Sequence, residues 1–551
     1  MHDPRIYSMR RQPIAYVLFI TVSVFSFHVP GNTQESDCLS KDLALVNGRI
    51  YTMDQQNSLA QSLLIKDKKV TAVDPQEESF NACTDIIDLE QRTVIPGLID
   101  NHVHYIRIAN RPGYDNRLLE RTFTIKEALE AIRRKVETVP QGELITTIGG
   151  IRRSQWYEKR FPTRLELDYV SPMNPVYVSE RGSGPGRTNT EGRNLLRELG
   201  VPVTNDGSVA EGVDTARAYE VLASNITNED RKRQILDVAE YALSLGLTTV
   251  MDMSGTVPGV GFIDQTDGYS FFLDLARENK HKVRTRIFFP GLDDNIELRQ
   301  LRGHLNKEWL NYGPDMAKVV GIGEWSVSRN LFNQQPLGEA ARLAQRLIAE
   351  RGWSYHQHLH TVEEIDAHFD VWEELNQEFD LAELRWTPGH LSQITPELVQ
   401  RAKTMGLGLG LHGQRFHGGT TGGPPWRMVL DSEPVALGAG SDGARINALN
   451  PWNMVYYMVT GQDISGKLIN DKQQISRYEA VWLLSSYQQG WFTKEEGLLG
   501  GIGVGRFADI AVLNEDVFDP IAVSDEAIRS VRSVLTIVNG EIVYDAGVLK
   551  H

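Results

Sequence analysis

The stretch Val94-Ile95-Pro96-Gly97-Leu98-Ile99-Asp100-Asn101-His102-Val103-His104 decides how the rest of the chain is read. It is an apolar run that ends in two histidines at positions i and i+2. In a β-strand, side chains at that spacing leave the same face, so both imidazoles can point together past the C-terminal end of the strand. Neutral imidazole is a good zinc ligand. A lone His-x-His is a common accident in a chain with 14 histidines, so its meaning depends on its surroundings.

Downstream, short apolar strands alternate with amphipathic helices: Leu144–Ile148, Pro175–Val178, Thr248–Met253, Thr285–Phe289, Lys318–Ile322, Ser354–Leu359, Leu407–Leu411 and Ala436–Gly440. Helical periodicity over Ile125–Val136, Asp230–Leu245 and Glu339–Arg351 fills gaps between them. Repeated strand–helix units predict an α/β fold, a parallel (β/α)8 TIM barrel. An open doubly wound sheet is the runner-up, but Gly182-Ser183-Gly184-Pro185-Gly186 lacks the spacing of a dinucleotide-binding turn.

A barrel keeps its working residues at the C-terminal ends of its strands. Three further segments then join the first histidine pair. Ser354-Tyr355-His356-Gln357-His358-Leu359-His360 alternates three histidines, Arg385-Trp386-Thr387-Pro388-Gly389-His390 sets one before a helix, and Val435–Asp442 is a small-residue strand ending in an acid. Histidines and an aspartate on successive strand ends form a coherent metal-ligand set.

The chain ends carry a different pattern. Leu43–Asn47 runs into Asn47-Gly48, a strong hairpin signal, followed by strands at Arg49–Met53, Ser62–Asp67, Lys69–Val73 and Thr84–Leu89. Phe507–Leu513, Val534–Val538 and Glu541–Tyr544 repeat the style at the other end. Two short all-β fragments need each other to bury a face, which predicts one discontinuous β-sandwich domain from 41–93 and 497–551 around a barrel of 94–496.

Arg5, Arg10 and Arg11 precede an apolar run from Pro13 to Phe27, then Pro30-Gly31. This reads residues 1–31 as a secretory signal and the protein as secreted or periplasmic, with an uncleaved N-terminal anchor as the alternative. The run is shorter than the roughly 20 residues a membrane span prefers. The 551 residues carry a net charge of -15, which disfavours polyanion partners such as nucleic acid. Cys38 and Cys83 are the two cysteines; export permits a disulfide, and two free thiols are the other reading.

Jointly, Leu45–Met53, the Pro96–His104 segment, Phe161–Asp168, Gly246–Asp252 and Gly505–Leu513 resemble the amidohydrolase superfamily, specifically the family-3 amidohydrolases. The resemblance covers nearly everything after the leader. It implies a metal-bearing barrel with a composite β-sandwich, in which His102 and His104 are first-strand ligands, His358 the fifth-strand ligand and His390 the sixth. Asp442 takes the role of the eighth-strand aspartate that touches the metal and shuttles the proton. For the bridging position the resemblance favours Lys318, in carboxylated form, over Glu324.

The resemblance also implies one or two divalent ions, zinc first. The activity it implies is hydrolysis of non-peptide amide or cyclic-amide C–N bonds of a small molecule. A metal-dependent esterase or lactonase, and a non-catalytic regulatory protein on the same scaffold, are the alternatives. Homo-oligomerisation stays open. Where many relatives carry Gly-His-Ser, this chain has Arg181-Gly182-Ser183 with Asn189 retained. Arg181, with Arg187, is therefore read either as a receiver of an anionic substrate group or as part of a solvated loop. Asn189, Trp325 and His412 complete the substrate-contact expectations, with Trp452 and His417 as further candidates near the pocket.

Overall fold

The computed structural model describes residues 38, 42–109, 111–180, 184–253, 268–306, 310–418, 421–443 and 447–550. The chain divides into the units Met1–Ser40 and Lys41–His551, and the fold described is that of the second. The leader expected over 1–31 lies outside the described residues. No described helix is long and apolar enough to cross a membrane.

The centre of the fold is one eight-stranded sheet in which each strand lies beside its neighbour in sequence. Its members are β1 (Leu98–Val103), β2 (Leu247–Asp252), β3 (Arg284–Phe289), β4 (Ala317–Glu324), β5 (Ser354–Leu359), β6 (Thr387–His390), β7 (Gly408–His412) and β8 (Ala436–Gly440). All neighbouring pairs are parallel. The ring closes just past β8, where the Asp442 N–H donates to the His102 carbonyl at 2.9 Å and the His104 N–H to the Gly443 carbonyl at 3.0 Å. This is the expected (β/α)8 barrel. Its strands are buried almost throughout because helices such as Asn228–Ser244, Glu339–Glu350 and Val362–Asn376 cover the outside.

The quoted stretch serves two sheets. Thr93–Pro96 pairs with Ile510–Leu513 and Arg49–Tyr51 in a six-stranded sheet built from both chain ends. A four-stranded sheet containing Asp42–Val46 packs with it over a shared core of Leu45, Ile50, Ile65, Val94, Ile510 and Ile537. Gly97 turns the chain from sandwich to barrel; a Cβ there would meet the Thr248 side chain at 2.2 Å.

Two strands expected in the alternation belong elsewhere. Ile145–Ile148 and Val176–Ser179 pair in parallel inside a separate five-stranded sheet between β1 and β2. That insertion has its own cores, around Trp156 and around Tyr177. The first barrel position is taken by Leu98–Val103, as expected from the histidine pair, and the sixth by the four-residue Thr387–His390.

Candidate active site

The histidines and carboxylates that come together sit at the C-terminal mouth of the barrel. His102 is in the last turn of β1's pleat and His104 just beyond it, facing the same way as their spacing requires. Asp100, two residues earlier, holds this strand end in place. Its carboxylate accepts the N–H of His102 at 3.1 Å, the N–H of Ser441 at 2.9 Å and the Ser441 hydroxyl.

Three strand ends turn their terminal residue by the same device. Glu324 closes β4 with φ 57°, His390 closes β6 with φ 69°, and Asp442, just after β8, has φ 53°. Left-handed backbone is unfavourable for residues with a Cβ and clusters at functional sites. Here it swings one carboxylate, one imidazole and a second carboxylate towards the same point.

The resulting cluster is tight and nearly dry. Nε2 of His104 lies 3.1 Å from Oδ1 of Asp442 and 3.3 Å from Oε2 of Glu324. Nδ1 of His358 lies 2.6 Å from Oε1 of Glu324, and Nε2 of His390 is 3.6 Å from that same oxygen. Nε2 of His102 is 3.7 Å from Asp442. One ligand atom each from His102, Glu324, His390 and Asp442 falls within 4.8 Å of all the others.

The electrostatics favour a cation. Burial holds the His102 and His390 imidazoles well below their ordinary range, so both are neutral and have lone pairs to offer. Burial alone would push Glu324 up, but the facing imidazoles of His104 and His358 hold its carboxyl well below the usual range. Burial raises Asp442 despite the hydrogen bond from His104. Nε2 of His102 and both ring nitrogens of His390 are buried without a hydrogen-bond partner, a costly state for polar atoms. Unpartnered imidazole nitrogens beside two carboxylates fit a divalent ion such as zinc.

The expected residues divide cleanly. His102, His104, His358, His390, Asp442 and Glu324 converge. Lys318 does not: it is the second residue of β4, its ammonium pairs with Asp315 at 3.4 Å, and its side chain is 27% exposed. Lys318 stands near the N-terminal end of the strand, away from the cluster, and Glu324 at the C-terminal end, inside it.

Asn189 has its whole amide engaged by backbone groups. Fully buried, it caps the helix Thr190–Glu198, accepting the N–H groups of Val176 and Gly192 and donating to the carbonyls of Ser171 and Asn174. Arg187 pairs with Asp206 at 2.8 Å, and Arg181 lies outside the described residues. Trp325 stacks on His358 with ring centroids 4.6 Å apart, walling the site. Trp452 is core, donating to the Leu245 carbonyl. His417 is buried and bonds the Gly150 carbonyl.

His412, the last residue of β7, is buried within the cluster, its ring centroid 3.9 Å from that of His102, and with His102 and His390 it brings three ligand atoms within 4.8 Å. Two residues went unassigned by sequence reasoning. His356 is buried with Nε2 3.4 Å from Nδ1 of His102, and His360 groups with His358 and His390 as a further potential ligand. Their signal was the i, i+2 alternation itself, which places His356, His358 and His360 on one side of β5.

A sequence profile describing the amidohydrolase family matches residues 85–544. Among curated proteins, the N-substituted formamide deformylase of Arthrobacter pascens is 31% identical over 159 residues, covering 28% of this chain and 29% of that one. The protein LONG AFTER FAR-RED 3 of Arabidopsis thaliana is 25% identical over 300 residues, 51% of this chain and 50% of that one. A dihydroorotase of Ehrlichia chaffeensis is 25% identical, over 42% and 51% of the two chains. The matched stretches thus span about half or less of these relatives.

Among solved structures, an uncharacterized metal-dependent hydrolase from Pyrococcus horikoshii superposes with a TM-score of 0.57 at 18% identity, covering 87% of this chain and 98% of that one. Atrazine chlorohydrolase from Arthrobacter aurescens, complexed with zinc, gives a TM-score of 0.53 at 15% identity over 91% and 95%. These structural likenesses concern the fold.

Proposed function

The chain belongs to the amidohydrolase family, and from that premise we propose that it is a metal-dependent hydrolase of C–N bonds in small molecules, amide or cyclic amide rather than peptide. One observation carries this reading: neutral His102 and His390, with Glu324 and Asp442, bring four ligand atoms within 4.8 Å at the mouth of the barrel. The deformylase and dihydroorotase relatives favour C–N bonds over esters.

His102, His104 and Asp442 would hold one divalent ion, zinc being the first candidate, and His358 and His390 a second, with Glu324 between them. Such an ion lowers the pKa of water and polarises a carbonyl. The work of the chain's own groups follows from their placement. Asp442 receives the proton of the attacking water and returns it to the departing nitrogen, acting first as base and then as acid. His104, 3.1 Å away, orients that carboxylate. Trp325 keeps one side of His358 dry.

The test is metal analysis of the purified protein beside a screen of N-formyl amines, N-acyl amino acids, cyclic amides and esters. The expected result is stoichiometric metal, turnover of at least one amide class, and loss of turnover by 10²-fold or more in Asp442→Asn. Absence of bound metal together with undiminished turnover by Asp442→Asn overturns the proposal. Export is part of the same reading: Cys38 and Cys83 are each disulfide-bonded, which suits an oxidising compartment, and N-terminal sequencing of the mature protein tests it.

A further inference from the structure

His412 ends β7 and is 1% exposed. Its ring stands among the proposed ligands, with its centroid 3.9 Å from that of His102 and 4.4 Å from that of His390. Proximity alone would enrol it as another ligand. Its hydrogen bond argues otherwise. Nδ1 of His412 accepts the backbone N–H of His390 at 2.9 Å. A neutral imidazole carries one proton and one free lone pair. His102, His390 and His412 do bring one ligand atom each within 4.8 Å, and Nε2 of His412 has no hydrogen-bond partner; but with the lone pair of Nδ1 engaged the proton of a neutral ring is on Nε2, which leaves no lone pair for a cation.

The bond falls where the backbone needs support. His390 and Leu391 have φ 69° and 54°, and the amide at the start of this left-handed turn is the one that donates to the His412 ring. The barrel makes room for the ring that receives it. A Cβ on Gly389 would lie 2.8 Å from Cε1 of His412 and 2.5 Å from Nε2 of His356, and one on Gly410 would lie 3.2 Å from Nε2 of His412. Two strands thus give up side chains where the His356 and His412 rings lie.

We infer that His412 is a positioning residue: its Nδ1 fixes the amide of His390, and so fixes the left-handed turn that aims the His390 imidazole at Glu324. This rests on the reading of His390 as a metal ligand. Groups of this kind, one step behind the ligands, typically change metal affinity 10–100-fold.

The test uses the full-length protein titrated with Zn2+ against a competing chelator. His412→Phe keeps a ring and loses the acceptor; His412→Gln returns an acceptor. Zinc affinity is expected to fall about 10–100-fold in His412→Phe and to recover to within a few-fold of wild type in His412→Gln. The melting temperature of the chelator-treated protein separates support of the ligand from support of the fold. Equal loss of affinity in both variants with equally lowered metal-free melting overturns the inference in favour of ring packing. The Co2+-loaded wild type and His412→Gln should share one visible spectrum; a changed spectrum makes His412 a ligand and also overturns it. Unchanged affinity in His412→Phe overturns the positioning role alone, whereas wild type that holds no zinc overturns the metal-centre reading beneath it.

Discussion

Oε1 of Glu324 lies 2.6 Å from Nδ1 of His358, linking the last residue of β4 to the C-terminal end of β5. With its other oxygen 3.3 Å from Nε2 of His104, the Glu324 carboxylate spans both halves of the proposed metal centre. Glu324→Gln is expected to lower bound metal and to cost activity by more than the 10–100-fold typical of a supporting residue. Lys318→Ala, six residues earlier on the outside of the site, leaves metal content and activity within two-fold or so of wild type. Elemental analysis of the two variants side by side decides it, and retained metal in Glu324→Gln would count against the bridge.

The three left-handed strand ends predict an unusual ranking of substitutions. At Glu324, His390 and Asp442, alanine keeps the Cβ that the backbone disfavours, and glycine removes it. In chelator-treated protein each Gly variant should therefore be more stable than the Ala variant at the same position by roughly 1 kcal/mol. In an ordinary strand the order is reversed. Urea denaturation of the paired variants reads the sign directly.

Asn189 predicts a loss of stability without a loss of specificity. Its amide meets two N–H donors and two carbonyls at 2.8–2.9 Å, all buried. Asn189→Ala takes this partner from both N–H groups and the Ser171 carbonyl, the Asn174 carbonyl keeping the Ser171 hydroxyl, and should cost on the order of 3 kcal/mol, lowering the melting temperature. KM of the surviving folded enzyme should be unchanged. A raised KM at full stability would return Asn189 to the substrate pocket.

His281 sets part of the response to acid. It is fully buried between Tyr105 and Phe272, neither ring nitrogen has a hydrogen-bond partner, and burial pushes its pKa down to about 3. In the unfolded chain it titrates near 6.5. Between those values the unfolded state binds a proton that the folded state refuses, so stability is complete above about pH 6.5 and falls as pH drops towards 3. The contribution of His281 is roughly 2 kcal/mol lost between pH 6.5 and 5. Wild type should lose roughly 2 kcal/mol relative to His281→Leu as pH falls through that window; parallel curves would refute the assignment.

Much of the architecture was legible because its signals are local. The closing strands announce themselves through the turn Asn539-Gly540, which joins the paired Ser533–Val538 and Glu541–Asp545, and the histidine pair through its two-residue period; Asn47-Gly48, read as a hairpin turn, instead joins strands of two different sheets. Other features depend on partners the sequence does not show. Ile145–Ile148 and Val176–Ser179 are buried parallel strands and therefore read like barrel strands, although they pair with each other in the insertion. β6 is the opposite case: Thr387-Pro388-Gly389-His390 has little apolar character, yet it occupies a barrel position. The placement of Lys318 and Glu324 was readable from strand polarity, since only the C-terminal end of β4 faces the mouth. The burial of His412 among the ligands was not, because it depends on glycines of two strands lying opposite each other, Gly389 beside Gly410.

The closure of the barrel has a consequence for how the protein matures. Ser441 and Asp100 are 341 residues apart in sequence yet share a hydrogen bond, and the Asp442 amide is tied to the His102 carbonyl in the same seam. Bringing such distant segments together is among the slowest steps open to a chain. A nascent chain ending before Ala436 holds His102, His104 and Glu324 but neither the seam nor Asp442. On the proposed metal centre, cation uptake would then be a late event in biogenesis, and tightly held metal would mark the moment at which the first and last strands have found each other.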